Sequence, residues 1–319
     1  MKKRLFTIIV GSTLILGLAV SCKDKPKNER TDTYSSGAIK FASDESFCPI
    51  IDEEVQVFEA TYREAKLTPV YTNETDAMAM LMKGDIKLAI TSRNYSEYEL
   101  NKLKAEKLMP RTTVIGYDGL ALIVNNSNPD TCISVDDFRK ILSGQATKWK
   151  DIYPDSRLGD FDVVFDNPKS STVRYCVDSV MGGKAIESPH IAAVDKSAEV
   201  VDYVATHENA IGIIGSNWLN DKRDTTNVTF KKDIKVMAVS KLPKATPENS
   251  WKPYQYYIYN GNYPLIRTLY ALLNDTRNGL PWGFSNFIAS PKGQLIIFKA
   301  GLLPAYGDLT VREVNVREE

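Results

Sequence analysis

Three short apolar segments near the start of the chain alternate with two segments of helical periodicity. The predicted strands are Ala38–Ala42, Leu67–Tyr71 and Ile86–Ile90, and the predicted helices are Ile51–Ala65 and Thr75–Lys83. Such a βαβαβ run predicts a parallel sheet with helices packed on its faces. The chain has 319 residues, which is enough for two α/β domains of ordinary size.

A later strand–turn–helix unit has the composition of an anion site. Phe161–Phe165 is a predicted strand and Val173–Met181 a predicted helix. Three hydroxyl residues stand at the start of that helix: Ser170, Ser171 and Thr172. Helix N-termini offer unpaired N–H groups and a favourable dipole to an anion, although Ser and Thr are also ordinary N-caps. Arg174 lies in the first helical turn, where the dipole disfavours a cation, and this favours the anion interpretation.

Charge and motifs exclude several classes of function. Lys plus Arg equals Asp plus Glu at 40 each, so no basic excess indicates nucleic acid. Two His and four Cys form no metal-ligand spacing, and no cofactor motif is present, so we predict no metal and no cofactor. The sequence contains neither a P-loop nor a GxSxG motif, and we predict that the protein is not an enzyme. A surface phosphohydrolase is the less favoured alternative.

The N-terminus reads as an export signal. A basic start and the apolar run Leu5–Val20 predict a signal peptide over residues 1–21, and Cys22 is predicted to carry a lipid. Residues 22–37 are polar and predict a flexible tether on the periplasmic or outer face of a bacterial membrane. An ordinary secreted protein is the alternative. Cleavage would leave a net charge of about −3, so an anion site must rely on local donors.

The order of elements predicts two α/β lobes. Lobe 1 comprises residues 38–115 and 240–310, and lobe 2 comprises residues 116–239. Two strands, Thr112–Gly116 and Leu120–Asn125, are predicted on either side of a turn. Further predictions are a strand over Tyr254–Tyr259 and a helix over Pro264–Leu273. Three cysteines are predicted to be buried, and their disulfide state stays open: Cys48, Cys132 and Cys176.

Several segments together resemble the PstS-like phosphate-binding proteins of ABC importers. They are Gly116–Asn125, Phe138–Asp151, Ala210–Gly212, Asn262–Tyr270 and Ser290–Pro304. The resemblance implies a two-lobed periplasmic-binding-protein fold of type II, with two mixed or parallel sheets flanked by helices and a two-stranded hinge. It also implies a monomer that captures phosphate between its lobes and delivers it to permease subunits.

The resemblance and the loop positions together give a set of candidate ligand residues. Lobe 1 is expected to contribute Ser43, Ser46, Phe47, Thr91, Ser92 and Arg93, and lobe 2 Asp118, Asp166, Ser170, Ser171, Thr172 and Arg174. Asp166 or Asp118 is expected to accept a proton from the ligand and so to reject fully ionised sulfate. The chain departs from the family at Ser171, at Asp166 and at Arg93, where the family has Gly, Arg and Asp.

These departures leave alternatives open. Asp166 could instead form the turn before Asn167, and Arg93 could pair with Glu97 on the surface. The ligand could be sulfate, molybdate or a phosphorylated organic compound. A protein of the same fold that senses or tethers a different ligand, without transport, is the second hypothesis.

Overall fold

A computed structural model describes residues 30–220 and 230–307. The predicted signal peptide, Cys22 and most of the predicted tether lie outside the described residues. Of the described residues, those from Thr33 onwards form one compact unit. No helix in the described ranges is long and apolar enough to cross a membrane.

Thirteen strands are present in the described part of the chain. They are β1 Gly37–Asp44, β2 Ala65–Thr72, β3 Leu88–Thr91, β4 Arg111–Asn125, β5 Cys132–Ser134, β6 Asp162–Phe165, β7 Ile191–Ala193, β8 Ala210–Gly215, β9 Ile234–Val236, β10 Ala238–Ser240, β11 Ser250–Trp251, β12 Ile266–Leu273 and β13 Leu303–Pro304.

The helices of the same ranges lie between these strands. They are α1 Cys48–Thr61, α2 Glu74–Lys83, α3 Glu97–Ala105, α4 Val135–Leu142, α5 Trp149–Ile152, α6 Ser171–Tyr175, α7 Ser197–Thr206, α8 Gln255–Tyr259, α9 Leu280–Ala289 and α10 Pro291–Lys299. Short 3₁₀ turns cover Glu45–Phe47 and Ser216–Trp218, and a π-helical turn, Cys176–Val180, continues α6.

One long strand connects the two halves of the main sheet. The strand order is β2-β1-β3-β12-β4-β8-β6-β7, and β4 pairs with β12 through its first part and with β8 through its last part. The first half of the sheet comprises β1, β2, β3 and β12, and the second half comprises β6, β7 and β8. Strand pairs at both edges are parallel, whereas β12 is antiparallel to both of its neighbours. The predicted mixed α/β, two-lobed fold is confirmed.

Each half of the sheet has its own hydrophobic core. The rings of Phe41, Phe58 and Phe284 meet on the first half, with ring centroids 5.2–5.3 Å apart for each ring against Phe284. Trp149 and Phe161 are fully buried on the second half, with centroids 4.6 Å apart. The carboxyl ends of β1, β3 and β6 lie at the boundary between the two halves. The polar residues of the candidate site follow these three strand ends.

Three secondary-structure predictions are wrong. The two strands predicted around Asp118 are one continuous strand, β4, because the Asp118 carboxylate has a buried partner and can stay inside the sheet. The segment from Pro264 forms strand β12, whose burial alternates with period two although Leu and Ala favour helices. The tyrosine-rich segment predicted as a strand contains helix α8.

The predicted lobe boundaries stay a prediction. Strand β10 pairs with both β11 and β5, and Ile258, Tyr263 and Leu265 are buried in the same core as Trp149. These contacts favour a return to the first half of the sheet near Leu265 rather than at residue 240.

The three cysteines differ in burial. Cys176 is fully buried, as predicted for a small core residue, whereas Cys48 and Cys132 are partly exposed.

Candidate functional site

A buried arginine is the centre of the boundary between the two halves. Arg267 lies on β12, and its guanidinium is 2.8 Å from a carboxylate oxygen of Asp118 on β4. Its Nη1 donates to Ser171 Oγ at 2.7 Å, and its Nη2 lies 3.4 Å from Ser46 Oγ. The guanidinium also stacks over the Phe47 ring, 4.8 Å from the centroid. A cation and two hydroxyls from different parts of the chain therefore converge at one buried point.

The Asp118 carboxylate fixes this cation in place. Its second oxygen accepts hydrogen bonds from Ser216 N and Ser216 Oγ at 3.0 and 2.8 Å. Burial alone would lower the pKa of Arg267, but the carboxylates of Asp118 and Asp44 raise it above its ordinary value. Arg267 consequently keeps its positive charge in a position that solvent does not reach.

The three hydroxyls at the start of α6 have different tasks. Ser170 is the N-cap, since its Oγ accepts from Val173 N at 3.3 Å. Thr172 Oγ1 lies 2.6 Å from Ser170 Oγ and donates to Asp166. Only Ser171 Oγ contacts Arg267, and it also lies 3.4 Å from Ser46 Oγ. The N-cap interpretation thus describes Ser170, while Ser171 faces the boundary.

Asp166 is a buried acceptor rather than a surface turn residue. Its side chain accepts from Thr172 Oγ1, from Asn167 N at 3.0 Å and from Ser197 Oγ at 3.3 Å. The bond to Asn167 is the turn contact expected of an Asp before this segment, so both interpretations describe part of its environment. Ser197 also donates to Glu45, through its backbone N–H at 3.1 Å and its Oγ at 2.7 Å, which joins β1's loop to α7.

A third buried carboxylate, Asp44, ends β1. One of its oxygens accepts from Ser46 N at 2.9 Å, and the other has no hydrogen-bond partner in the described part of the chain. Burial raises the pKa of Asp44 to about 6; Arg267 opposes the shift, and Glu74 and Asp166 add to it. The site therefore contains an unsatisfied acceptor with a raised pKa.

Arg174 reaches across the boundary instead of pointing at Arg267. It donates to the buried carboxylate of Glu74 on α2, and its Nη2 donates to Ser92 Oγ at 2.9 Å. Ser92 in turn donates from its backbone N–H to Glu74 at 2.8 Å, and Arg174 Nη1 donates to Asp178 at 3.1 Å. Each of the three guanidinium nitrogens of Arg174 therefore donates to a protein acceptor.

Three other predicted ligand residues bond locally. Arg93 makes two hydrogen bonds of 2.8 Å to Glu99, the glutamate of the capping box of α3, and not to the alternative partner Glu97. Thr91 Oγ1 donates to Arg93 O at 2.8 Å, and Ser43 Oγ donates to Asp44 O at 3.1 Å. The structure thus brings Ser46, Phe47, Asp118 and Ser171 to Arg267, but it does not bring Arg93 or Thr91 there; their role in binding stays a prediction.

Sequence reasoning missed Arg267, Asp44, Glu74 and Asn217 as site residues. Arg267 falls within the segment Asn262–Tyr270 that carries part of the resemblance, and it is the only charged residue of β12. That isolation was the available signal. Asn217 Nδ2 and Trp218 Nε1 both donate to Ser46 O, at 2.9 and 2.8 Å, and nothing local in the sequence indicates this contact.

The arrangement combines donors for an anion with acceptors for a protonated group. It provides one guanidinium and the hydroxyls of Ser46 and Ser171, flanked by the carboxylates of Asp44 and Asp166. No group of three His, Cys, Asp or Glu side chains in the described ranges could hold a metal ion. A two-lobed α/β fold with such a site between its halves defines a solute-binding protein.

The chain belongs to the PBP superfamily. The family profile of the PBP superfamily domain matches residues 28–292. The phosphate-binding protein PstS of Borreliella burgdorferi is 23% identical over 313 residues, covering 95% of this chain and 99% of the relative. PstS of Staphylococcus haemolyticus is 20% identical over 298 residues, covering 90% and 88%. The resemblance to the PstS-like group is confirmed.

Solved structures show the same fold. A Clostridium perfringens protein, assigned as a phosphate ABC transporter substrate-binding protein and solved with bound phosphate, superposes with a TM-score of 0.70 at 20% identity, covering 85% of this chain and all of that one. An ABC-type phosphate transport receptor from Vibrio cholerae superposes with a TM-score of 0.63 at 22% identity, covering 84% and 100%.

Proposed function

We propose that this protein captures inorganic phosphate between its two lobes and presents it to the permease subunits of an ABC importer. The observation that carries the proposal is the buried Arg267, which meets Ser171 Oγ at 2.7 Å and lies 3.4 Å from Ser46 Oγ. Arginine and hydroxyl groups suit the oxygens of a phosphate-like anion. The relatives named as phosphate-binding proteins support the choice of ligand.

Closure of the lobes would complete the site. Ser46 follows β1 in the first half and Ser171 begins α6 in the second half, and their hydroxyls already lie 3.4 Å apart. A hinge motion would open the lobes to admit the ligand and close them around it. Asp44 would accept a hydrogen bond from a protonated oxygen of phosphate. Sulfate has no such proton at neutral pH, so its oxygen would face the Asp44 carboxylate with no hydrogen between them. This repulsion favours phosphate over sulfate.

Export and membrane attachment belong to the same proposal. The relatives named as phosphate-binding proteins support a binding protein rather than an enzyme. A protein with this task works outside the cytoplasm, as a monomer held by a lipid on Cys22 and by the polar tether that follows it. The sequence of residues 1–22 supports this attachment.

A binding protein of the same fold with a different ligand is the second candidate. The carboxylates of Asp44, Asp118 and Asp166 around a single central arginine favour it, because the family has an arginine where Asp166 stands. Such a protein would sense or tether its ligand without transport.

Calorimetric titration of the ligand-free mature protein with phosphate and with sulfate tests the proposal. We expect phosphate to bind, sulfate to fail, and Ser171→Ala to weaken phosphate binding at least about tenfold, since a hydrogen bond to a charged ligand is lost. Ser143→Ala is the matched control, because its hydroxyl donates only to Lys140 O in its own helix. Absence of phosphate binding would reject the proposed ligand.

A further inference from the structure

The charged side chains at the centre of the boundary are unfavourable for binding a doubly charged anion. Arg267 forms a tight ion pair with Asp118, so its charge is already offset. Asp44 and Asp166 add two carboxylates that also act on Arg267. Arg174 does not relieve them, because Glu74 and Asp178 take up its charge. Each additional negative charge on a ligand would therefore meet unfavourable carboxylates in a buried site.

Two buried acceptors flank Ser46 without a donor. In the described ranges, Asp44 Oδ2 and Asn217 Oδ1 have no hydrogen-bond partner, and their residues are 1% and 8% exposed. The orientation of the Asn217 amide is fixed, because its Nδ2 donates to Ser46 O at 2.9 Å. Asp44 is fixed in the same way by Ser46 N at 2.9 Å. Buried acceptors of this kind are costly unless a donor reaches them.

The same region borders the arginine. A methyl-sized group built on Gly215 would lie 2.6 Å from Asn217 Oδ1 and 2.7 Å from Arg267 Nη2, so only a glycine fits between these two side chains. Asp44 reaches the same point through Ser46, whose backbone N–H donates to Asp44 at 2.9 Å and whose Oγ lies 3.4 Å from Arg267 Nη2. Both unsatisfied acceptors thus lie around the guanidinium that is proposed to bind the anion.

We propose that the site holds a tetrahedral oxyanion in its singly charged, doubly protonated form, with one ligand hydroxyl donating to Asp44 Oδ2 and the other to Asn217 Oδ1. This inference rests on the proposed function and specifies the ionic form of its ligand. The two remaining ligand oxygens would accept from Arg267 and from the hydroxyls of Ser46 and Ser171. No covalent bond changes in this step.

Binding of the doubly protonated ligand requires the uptake of a proton from solvent at alkaline pH. Above the second ionisation of phosphate the free ligand carries one proton, so a second proton must come from solvent when the complex forms. Asp44 is ionised in that range, since the burial-shifted pKa is about 6. Asp166, Glu74 and Arg267, which face Asp44 from the neighbouring elements, keep their hydrogen-bonded partners. We therefore expect a net gain of one proton for each phosphate bound.

Calorimetry at about pH 8, in two buffers with different ionisation enthalpies, measures this gain. We expect uptake of about one proton per phosphate, and an affinity that falls about tenfold per pH unit above neutrality. Binding with no proton uptake and an unchanged affinity at higher pH would overturn the inference and leave the proposed function standing. Absence of phosphate binding at both pH values would instead reject the proposed function.

A variant pair locates the proton. Asp44→Asn offers an N–H donor in place of an acceptor, so the site could keep the doubly charged ligand and proton uptake should fall to about zero. Asp155→Asn, which changes an exposed carboxylate in the turn after α5, should keep the uptake of one. Retention of full uptake by Asp44→Asn would contradict the assignment to Asp44. The proton count of the unaltered protein decides the ionic form even if the Asp44 variant does not fold.

Discussion

Arg267 and Asp118 lie directly opposite each other on antiparallel strands β12 and β4, and their side chains form an ion pair of 2.8 Å that is almost wholly shielded from solvent. Removal of one partner leaves the other as an uncompensated buried charge. We expect Asp118→Asn to lower the free energy of unfolding by about 3–5 kcal/mol, as measured by urea denaturation.

The pair of Lys66 and Glu59 provides the comparison. Its nitrogen–oxygen distance is 3.3 Å, and the Lys66 side chain is 70% exposed. Lys66→Gln should therefore cost less than about 1 kcal/mol. Equal effects of the Asp118 and Lys66 substitutions would show that burial of the Arg267–Asp118 pair has no special energetic role.

The contact of Arg174 with Glu74 should contribute to closure. Glu74 lies on α2 and Arg174 on α6, so the ion pair forms only while the two halves of the sheet are together. We expect Arg174→Gln to weaken phosphate binding about tenfold, because loss of about 1.4 kcal/mol of closed-state stability appears directly in the affinity. Titration calorimetry provides the measurement.

Exchange of the two charges tests whether loss of the Arg174–Glu74 ion pair, rather than general destabilisation of the protein, weakens binding. The double variant Glu74→Arg with Arg174→Glu should recover part of the affinity that each single variant loses, because opposite charges face each other again. Trp218, whose Nε1 donates to Ser46 O at 2.8 Å, gives a fluorescence signal for closure in each variant. If the single variants bind phosphate as tightly as the unaltered protein, the pair does not control closure.

Much of the fold can be predicted from local sequence patterns. The βαβαβ start follows from the hydrophobic periodicity of residues 38–90. Strand β12 does not, because its Leu, Ala and Tyr residues suit a helix and only its position between β3 and β4 imposes a strand.

Two hydroxyls of the candidate site and its Asp118 can be predicted from the sequence, but the central arginine cannot. Ser46 and Ser171 stand at loop and helix starts, where sequence rules apply. The charged groups pair with residues that are far away in the sequence. Arg267 pairs with Asp118, 149 positions away, and Arg174 pairs with Glu74, 100 positions away. A position after a strand is therefore enough to predict Arg93 as a ligand residue, whereas no such position points to Arg267.

Arg93 gives a direct test of that reassignment. Its two bonds to Glu99 occupy the guanidinium, so Arg93→Gln should leave phosphate affinity within about twofold. The cost should appear in stability instead, at about 1 kcal/mol, because the pair supports the cap of α3 and is partly exposed. Arg267→Gln is the contrasting variant and should abolish detectable phosphate binding. Loss of binding in Arg93→Gln alone would restore Arg93 to the site.

Glu54 should make the protein less stable as pH rises. This residue of α1 is fully buried, and neither carboxylate oxygen has a hydrogen-bond partner in the described ranges. Burial, reinforced by Glu53, raises the pKa of Glu54 to about 9. Between an unfolded value of about 4.3 and that folded value, the folded state binds one more proton than the unfolded state, so stability falls by up to about 1.4 kcal/mol per pH unit.

Replacement of Glu54 by an uncharged residue removes this dependence. We expect Glu54→Gln to be more stable than the unaltered protein by up to about 3 kcal/mol at pH 7, with a smaller difference at about pH 5. Urea denaturation at the two pH values gives the measurement, and Glu64→Gln, which changes an exposed glutamate just beyond the same helix, is the control. A difference between Glu54→Gln and the unaltered protein that does not grow with pH would show that Glu54 is not held protonated, because an ionised group in both states adds no proton linkage.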